Sequence, residues 1–311
     1  MKKLCLTVLI ASLLSTAVAG CGSESEAAPE SLQDKIKVTG EYGAKPTIDI
    51  DEPLEFSESS SWTEQKGDGD KVGEGATAIL QLTLANGRSG KTVISTFDQG
   101  QRPLELALGD QVFPSLVVGL TGKATGSRVV VASTSEDAYG EQGAPQVGIE
   151  GGDPVVMVAD VLSTDPTSVL DEPSGEALPV PAGSPKLLQA DGVPTGFDVT
   201  GLKKPKKLVV VPLIEGTGPA VEAPDRVAVD YLGQVWGAKK PFEESYSKDP
   251  ARFSVGLGSV IPAWDQALVG VKEGGRVMLV APPELAYGKE GRPGIPPNST
   301  LVFVVDVLGV G

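Results

Sequence analysis

Eight residues between positions 231 and 303 come in an order that suits a pocket: Tyr231, Phe242, Glu243, Val260, Ile261, Trp264, Tyr287 and Phe303. Five are aromatic, two are branched aliphatics and one is a carboxylate. A deep, ring-lined hollow with a single carboxylate at its lip fits a proline side chain better than a charged substrate. The chemistry open to such a hollow is rotation about an X–Pro bond. That barrier, about 18–20 kcal/mol, comes from amide resonance and needs no nucleophile to cross. Taking the imide out of water destabilises its charge-separated planar form, and walls shaped for a twisted amide favour the transition state. An indole such as that of Trp264 makes a large, rigid, dry floor.

Other chemistries are excluded by composition. The 311 residues contain no histidine, so Ser-His-Asp and Cys-His hydrolases and His-ligated metal sites drop out. The two cysteines, Cys5 and Cys21, both lie in the first 21 residues, so the body has neither disulfide nor thiol nucleophile. The formal charge is −15 with no basic cluster, which argues against nucleic acid as a partner. No metal or cofactor is expected.

The elements that must position these residues occur twice. Phe97-Asp98 parallels Phe242-Glu243. The run 112–116 parallels 260–264, Ala138-Tyr139-Gly140 parallels Ala286-Tyr287-Gly288, and 157–161 parallels 303–307. The near-constant separation means two copies that differ by small loop changes. The phrase Val-Thr-Gly also recurs, at 38–40 and 199–201. In each copy, branched and apolar runs predict strands, at 76–84, 128–132 and 155–162 and again at 226–232, 276–280 and 300–308. One short helix fits each copy. In the second it starts near Pro262 or Ala263, passes Trp264 and Leu268, and ends at Gly270. The expected class is α+β, with the helix lying on an antiparallel sheet.

Over nearly all of residues 208–311 this pattern resembles the FKBP family of peptidyl-prolyl cis-trans isomerases. The motif that carries the resemblance best is Pro293-Gly294-Ile295-Pro296-Pro297 followed by Leu301-Val302-Phe303. The resemblance implies two tandem FKBP-like domains, each an antiparallel sheet wrapped on one short helix. It implies Trp264 as the floor, Tyr231, Phe242 and Phe303 as walls, and Val260 and Ile261 at the rim. The Ile261 amide and the Tyr287 hydroxyl would bind substrate carbonyls, and Ile295 would cover the pocket. Glu243 stands where most members carry Asp, and Ala251 where an aromatic is common. Phe253, Trp236 and Tyr246 read as packing. In the first copy Leu82, Leu116 and Met157 replace the first tyrosine, the tryptophan and the last phenylalanine, so its pocket is expected to be shallower and weakly active or inactive.

The N-terminus reads as an export signal. Lys2-Lys3 precede an apolar run that ends in Val18-Ala19-Gly20-Cys21, which looks like a bacterial lipobox with Cys21 as the lipidated residue. Residues 23–70 hold 13 acids against 4 bases. The expected layout is a signal peptide over 1–20, a lipidated, acidic tether and lead-in over 21–65, and a degenerate domain over 66–165. A Pro-rich linker and lead-in over 166–205 and an isomerase domain over 206–311 complete it. The function expected is that of an exported, lipid-anchored prolyl isomerase acting on proline-containing polypeptides, with macrolides competing by resemblance. A non-enzymatic binding lipoprotein is the alternative. A solute-binding lipoprotein would need a βαβ rhythm that the chain lacks.

Overall fold

The computed structural model describes residues 30–51, 53–109 and 111–311. The expected signal and Cys21 lie outside the described residues. Two antiparallel sheets carry the chain, one in each copy. In the first, the strands run in the order Ser60–Gln65, Arg128–Ser133, Val155–Thr164, Thr77–Asn86 and Thr92–Ser95, with Leu104–Ala107 also paired to Thr77–Asn86. The second has the order Glu243–Glu244, Asp225–Val235, Leu301–Val310, Arg276–Ala281, Val209–Gly216 and Gly175–Ala177, with Ala251–Val255 paired to Asp225–Val235. One helix crosses each sheet, Pro114–Leu120 in the first and Pro262–Leu268 in the second.

Each sheet is covered on both faces. The helix side of the first buries Val129, Val131, Met157 and Ala159. The alternate residues Val130, Ala132, Val156 and Val158 face a second cluster with Ile36, Ile48 and Ile50 from the hairpin Ile36–Thr39/Thr47–Ile50. The second sheet repeats the plan. Val277, Leu279 and Phe303 lie on the helix side, while Met278, Val280, Val302 and Val304 meet Phe197 and Leu187 of the hairpin Lys186–Ala190/Val193–Asp198. Strands buried on both faces read as unbroken apolar runs instead of alternating ones. The recurring Val-Thr-Gly phrase does not fall at the same point of the two: residues 38–40 end the first strand of one hairpin, while 199–201 follow the second strand of the other. Both lead-in segments are structural layers over their sheets.

Residues 166–187 are not a free spacer. Leu170 N–H donates to Leu308 O at 2.8 Å, Ser174 N–H to Gly274 O at 2.9 Å, and Leu178 N–H to Leu213 O at 2.9 Å. Gly175–Ala177 adds a strand to the edge of the second sheet. Proline restricts the unfolded segment, and the few remaining backbone groups find partners along that edge.

A buried ion pair bridges the same register position in each sheet. Arg128, 1% exposed, makes a bidentate contact to Asp160 at 2.6 and 2.8 Å, and its other donors reach Gly40 O and Ala44 O in the hairpin turn. Arg276 grips Asp306 at 2.5 and 2.7 Å, and the Tyr246 hydroxyl donates to Asp306 at 3.0 Å. Buried charges at these positions are tolerated because all three Arg128 nitrogens find acceptors and Arg276 meets Asp306 through two parallel bonds. Tyr246, read from the sequence as packing, has this added polar task.

Candidate functional site

The helix Pro262–Leu268 begins at a proline, whose missing N–H costs nothing in the first turn. This places Trp264 in that turn, facing the sheet and 6% exposed. Three rings close on it. Tyr231 stands edge-on with centroids 5.1 Å apart, Phe303 likewise at 5.4 Å, and Phe253 lies tilted at 5.1 Å. Phe242 in turn meets Phe303 edge-on at 5.8 Å. Edge-to-face pairs of this kind add about 0.5–1.5 kcal/mol beyond area burial. Gly233 pairs with Phe303 across the strands, and a Cβ there would lie 2.5 Å from Phe242 Cζ and 2.7 Å from Phe303 Cε1. The ring cluster exists because that strand position has no side chain.

Around these rings lies a cavity of about 540 Å³. It is lined by Tyr231, Glu243, Val260, Ile261, Trp264, Tyr287 and Phe303, seven of the eight residues singled out above, together with Ala251, Phe253, Ser259, Pro262 and Arg292. Phe242 buttresses the wall from behind Phe303. Ile295 is 3% exposed and packs in the core cluster beside the cavity instead of lining it. Phe253, read as core, forms part of the wall, because Ala251 two residues earlier on the same strand face leaves room beside it. A larger open groove, about 860 Å³, lies near Trp62. It is lined by charged residues including Asp34, Lys37 and Glu64, which do not suit an apolar ring.

Sequence reasoning missed Arg292. Its N–H donates to Ile295 O at 3.0 Å and Ile295 N–H donates back to Arg292 O at 2.8 Å, closing a turn over Pro293 and Gly294, the latter at φ 84°. Pro-Gly at the centre of a turn demands this geometry and sets the flanking residues side by side. The guanidinium sits 4.6 Å from the Tyr287 ring centre and 5.7 Å from that of Phe242, and it pairs with Glu243. The lip therefore carries an ion pair, not a lone carboxylate. Burial, aided by the Glu243 charge, pushes the Tyr231 phenol up to about 12, and burial raises that of Tyr287. Both hydroxyls remain protonated donors at neutral pH.

The first sheet has no such ring cluster. Leu84 stands where Gly233 stands, paired with Met157 as Gly233 is with Phe303. Leu82, Leu84, Leu116 and Met157 are all buried in one core. Phe113 and Tyr139, counterparts of Ile261 and Tyr287, meet edge-on at 4.9 Å. Asp98 turns outward, 54% exposed, to Lys45 of the hairpin at 2.5 Å.

An antiparallel sheet wrapped on one helix, with an indole floor and a ring-lined hollow, defines a class of protein shaped to receive an apolar ring. A family model for FKBP-type peptidyl-prolyl cis-trans isomerases matches residues 68–158 and 218–308, more than half of the chain, and the chain belongs to that family. It is 46% identical over 112 residues to FKBP-type peptidyl-prolyl cis-trans isomerase FkpA of Escherichia coli K12, covering 35% of this chain and 40% of that protein. It is 39% identical over 116 residues to FK506-binding protein of Streptomyces anulatus, covering 36% of this chain and 94% of that one. The crystal structure of FkpA from Escherichia coli is 45% identical with a TM-score of 0.32, covering 36% of this chain and 52% of that chain. The chain spans about two fifths of the length of its FkpA relative.

Proposed function

We propose that this chain is a peptidyl-prolyl cis-trans isomerase whose activity resides mainly in the C-terminal domain. The observation that carries this reading is the cavity of about 540 Å³ floored by Trp264. A proline ring enters between Tyr231, Phe253 and Phe303 and rests on the indole. Water is displaced from the imide, which weakens its resonance and lowers the barrier to rotation. The Ile261 amide and the Tyr287 hydroxyl donate to substrate carbonyls, holding the flanking peptide while the C–N bond turns. The Glu243–Arg292 pair fixes the lip and offers little net charge to an entering chain. No bond is made or broken, so no acid, base or nucleophile is required.

The substrates are X-Pro bonds in unfolded or partly folded polypeptides, and macrolides of the FK506 type compete for the same hollow. Among the described residues no helix is long and apolar enough to cross a membrane. The lipobox sequence ending at Cys21 supports export and attachment by acyl chains, two or more of which hold a protein stably to a bilayer. The first domain, its hollow filled by Leu84, Leu116 and Met157, serves as a spacer or binding surface.

The test is isomerisation of a proline peptide by the full chain beside Trp264→Ala and Phe242→Ala. A rate well above the uncatalysed one, lost in Trp264→Ala, supports the reading. Peptide turnover at the spontaneous rate in the unsubstituted chain would leave the non-enzymatic binding lipoprotein in its place.

A further inference from the structure

The two domains meet around Arg226. This side chain is 6% exposed and stands second in the long strand Asp225–Val235 of the second sheet. Its Nη1 donates to Glu105 Oε1 at 2.7 Å, and its Nε and Nη2 donate to Asp165 Oδ1 at 3.0 and 2.7 Å, both acceptors belonging to the first domain. A buried guanidinium answered by two carboxylates makes a specific, oriented contact. Ser163 Oγ adds to it, accepting from Arg226 N–H at 2.7 Å and donating to Gly311 O at 2.7 Å.

The same Glu105 does a second thing. Its Oε2 accepts from Ser259 Oγ at 3.1 Å. Two residues from Ser259, Leu257 O accepts from Arg102 Nη1 at 2.8 Å. Ser259 lines the aromatic cavity, and Val260 and Ile261 follow it directly as the cavity rim. The segment 256–260 belongs to no strand or helix, and Gly256 and Gly258 have φ of 87° and 73°. From its own domain the segment is held by Asp265, which accepts from Gly256 N–H at 2.8 Å and Gly258 N–H at 3.1 Å. Irregular backbone of this kind opens locally at low cost unless it is tied down.

We infer that the first domain is a positioning element for the pocket of the second, holding the rim segment 256–261 through Arg102 and Glu105. The inference rests on the proposed isomerase reading for what the rim does, and on geometry alone for how it is held. Asp265 fixes the start of the segment from within. Arg102 and Glu105 fix its middle and its approach to Val260 from outside. A rim held ready for the peptide loses less freedom on binding, which favours affinity more than the turning of the bond itself. A first domain with a filled hollow thus still has a part in the reaction.

The experiment compares the full chain with Arg102→Ala, Arg102→Lys and Glu105→Ala, reading peptide isomerisation and amide hydrogen exchange over 256–261. Arg102→Ala should raise KM about threefold to tenfold with kcat little changed, the effect expected for one lost hydrogen bond to a binding surface. Arg102→Lys, which keeps a donor, should recover most of that. Exchange at the rim amides should quicken about tenfold in Arg102→Ala and Glu105→Ala. Should Glu105→Ala fail to fold, Arg102→Ala decides, because its loss leaves the Arg226 contacts intact. Unchanged KM and unchanged exchange in Arg102→Ala would overturn the inference, as would a fall in kcat with no change in KM. If the unsubstituted chain shows no isomerisation, the proposed function fails on its own account, and rim exchange then judges whether the first domain holds the segment.

Discussion

The two domains share one plan, and among their differences one cross-strand contact decides whether a hollow stays open. In the second, Gly233 faces Phe303, and the vacant side-chain position admits the Phe242 and Phe303 rings against Trp264. In the first, Leu84 faces Met157 and occupies that space. Both solutions fill volume well, since cores tolerate hydrophobic exchange when total volume is kept. The comparison teaches that a binding hollow here is a packing arrangement in which a missing side chain makes room for large rings to gather and wall the space. Closing it requires no change of fold.

The largest effect should come from exchanging floors. Trp264→Leu, which installs the first domain's residue, should lower kcat/KM of the full chain roughly tenfold to hundredfold, a loss of about 1.4–2.7 kcal/mol in transition-state binding. Leu116→Ala should leave the rate within about twofold, because the proposed function puts the activity in the second hollow. A comparable fall from both substitutions, measured on one proline peptide, would break the contrast.

Next in size are the buried ion pairs. Asp160→Asn and Asp306→Asn each leave a buried guanidinium short of its partner, at a cost of about 3–5 kcal/mol. The first should cost more, because Arg128 is more deeply enclosed than Arg276. Urea denaturation that resolves the two domains checks the order.

Gly233→Ala sharpens the comparison at its source. The added methyl should cost about 1–3 kcal/mol and shift both phenyl rings. Isomerisation should fall with it, and the thermal midpoint should drop by several degrees. Conversely, placing Tyr, Trp and Phe at positions 82, 116 and 157 without Leu84→Gly should give no gain in activity. A gain in that triple variant would mean that Leu84 does not close the first hollow.

The smallest effect expected is one of pH. With its phenol pushed up to about 12, Tyr231 stays neutral in the folded protein while an unfolded tyrosine ionises near 10. Its contribution to stability is complete below about pH 10 and is lost as pH rises from there through about 12. Between about pH 6 and 9 kinetics should show no limb that Tyr231→Phe abolishes. A limb in that range that disappears in the variant would contradict the burial seen at this residue.

Much of this was legible in the sequence, for local reasons. The strands 128–132 and 276–280 are apolar runs, and the helices begin at prolines that can only start one. The doubled order of motifs exposed the repeat, and seven of the eight chosen residues line one cavity. What escaped was whatever depends on which strand lies opposite. The face of the sheet that each hairpin covers, the strand 175–177 within a proline-rich stretch, and the wall role of Phe253 all depend on pairings far apart in the chain. Arg292 had a local signal, the Pro-Gly turn beside it, but its ring partners did not.

The chain by itself determined the copies, their elements and the inventory of side chains that a proline pocket would need. Period, turn chemistry and residue type act over a few neighbours, so they can be read along a line. Only the tertiary structure decided that Gly233 sits beneath two rings while Leu84 fills the matching place, and that Arg102 and Glu105 of one domain grip the rim of the other. Those outcomes are set by register and by the docking of one body on another, where contacts more than a hundred residues apart compete for the same volume and the same hydrogen bonds.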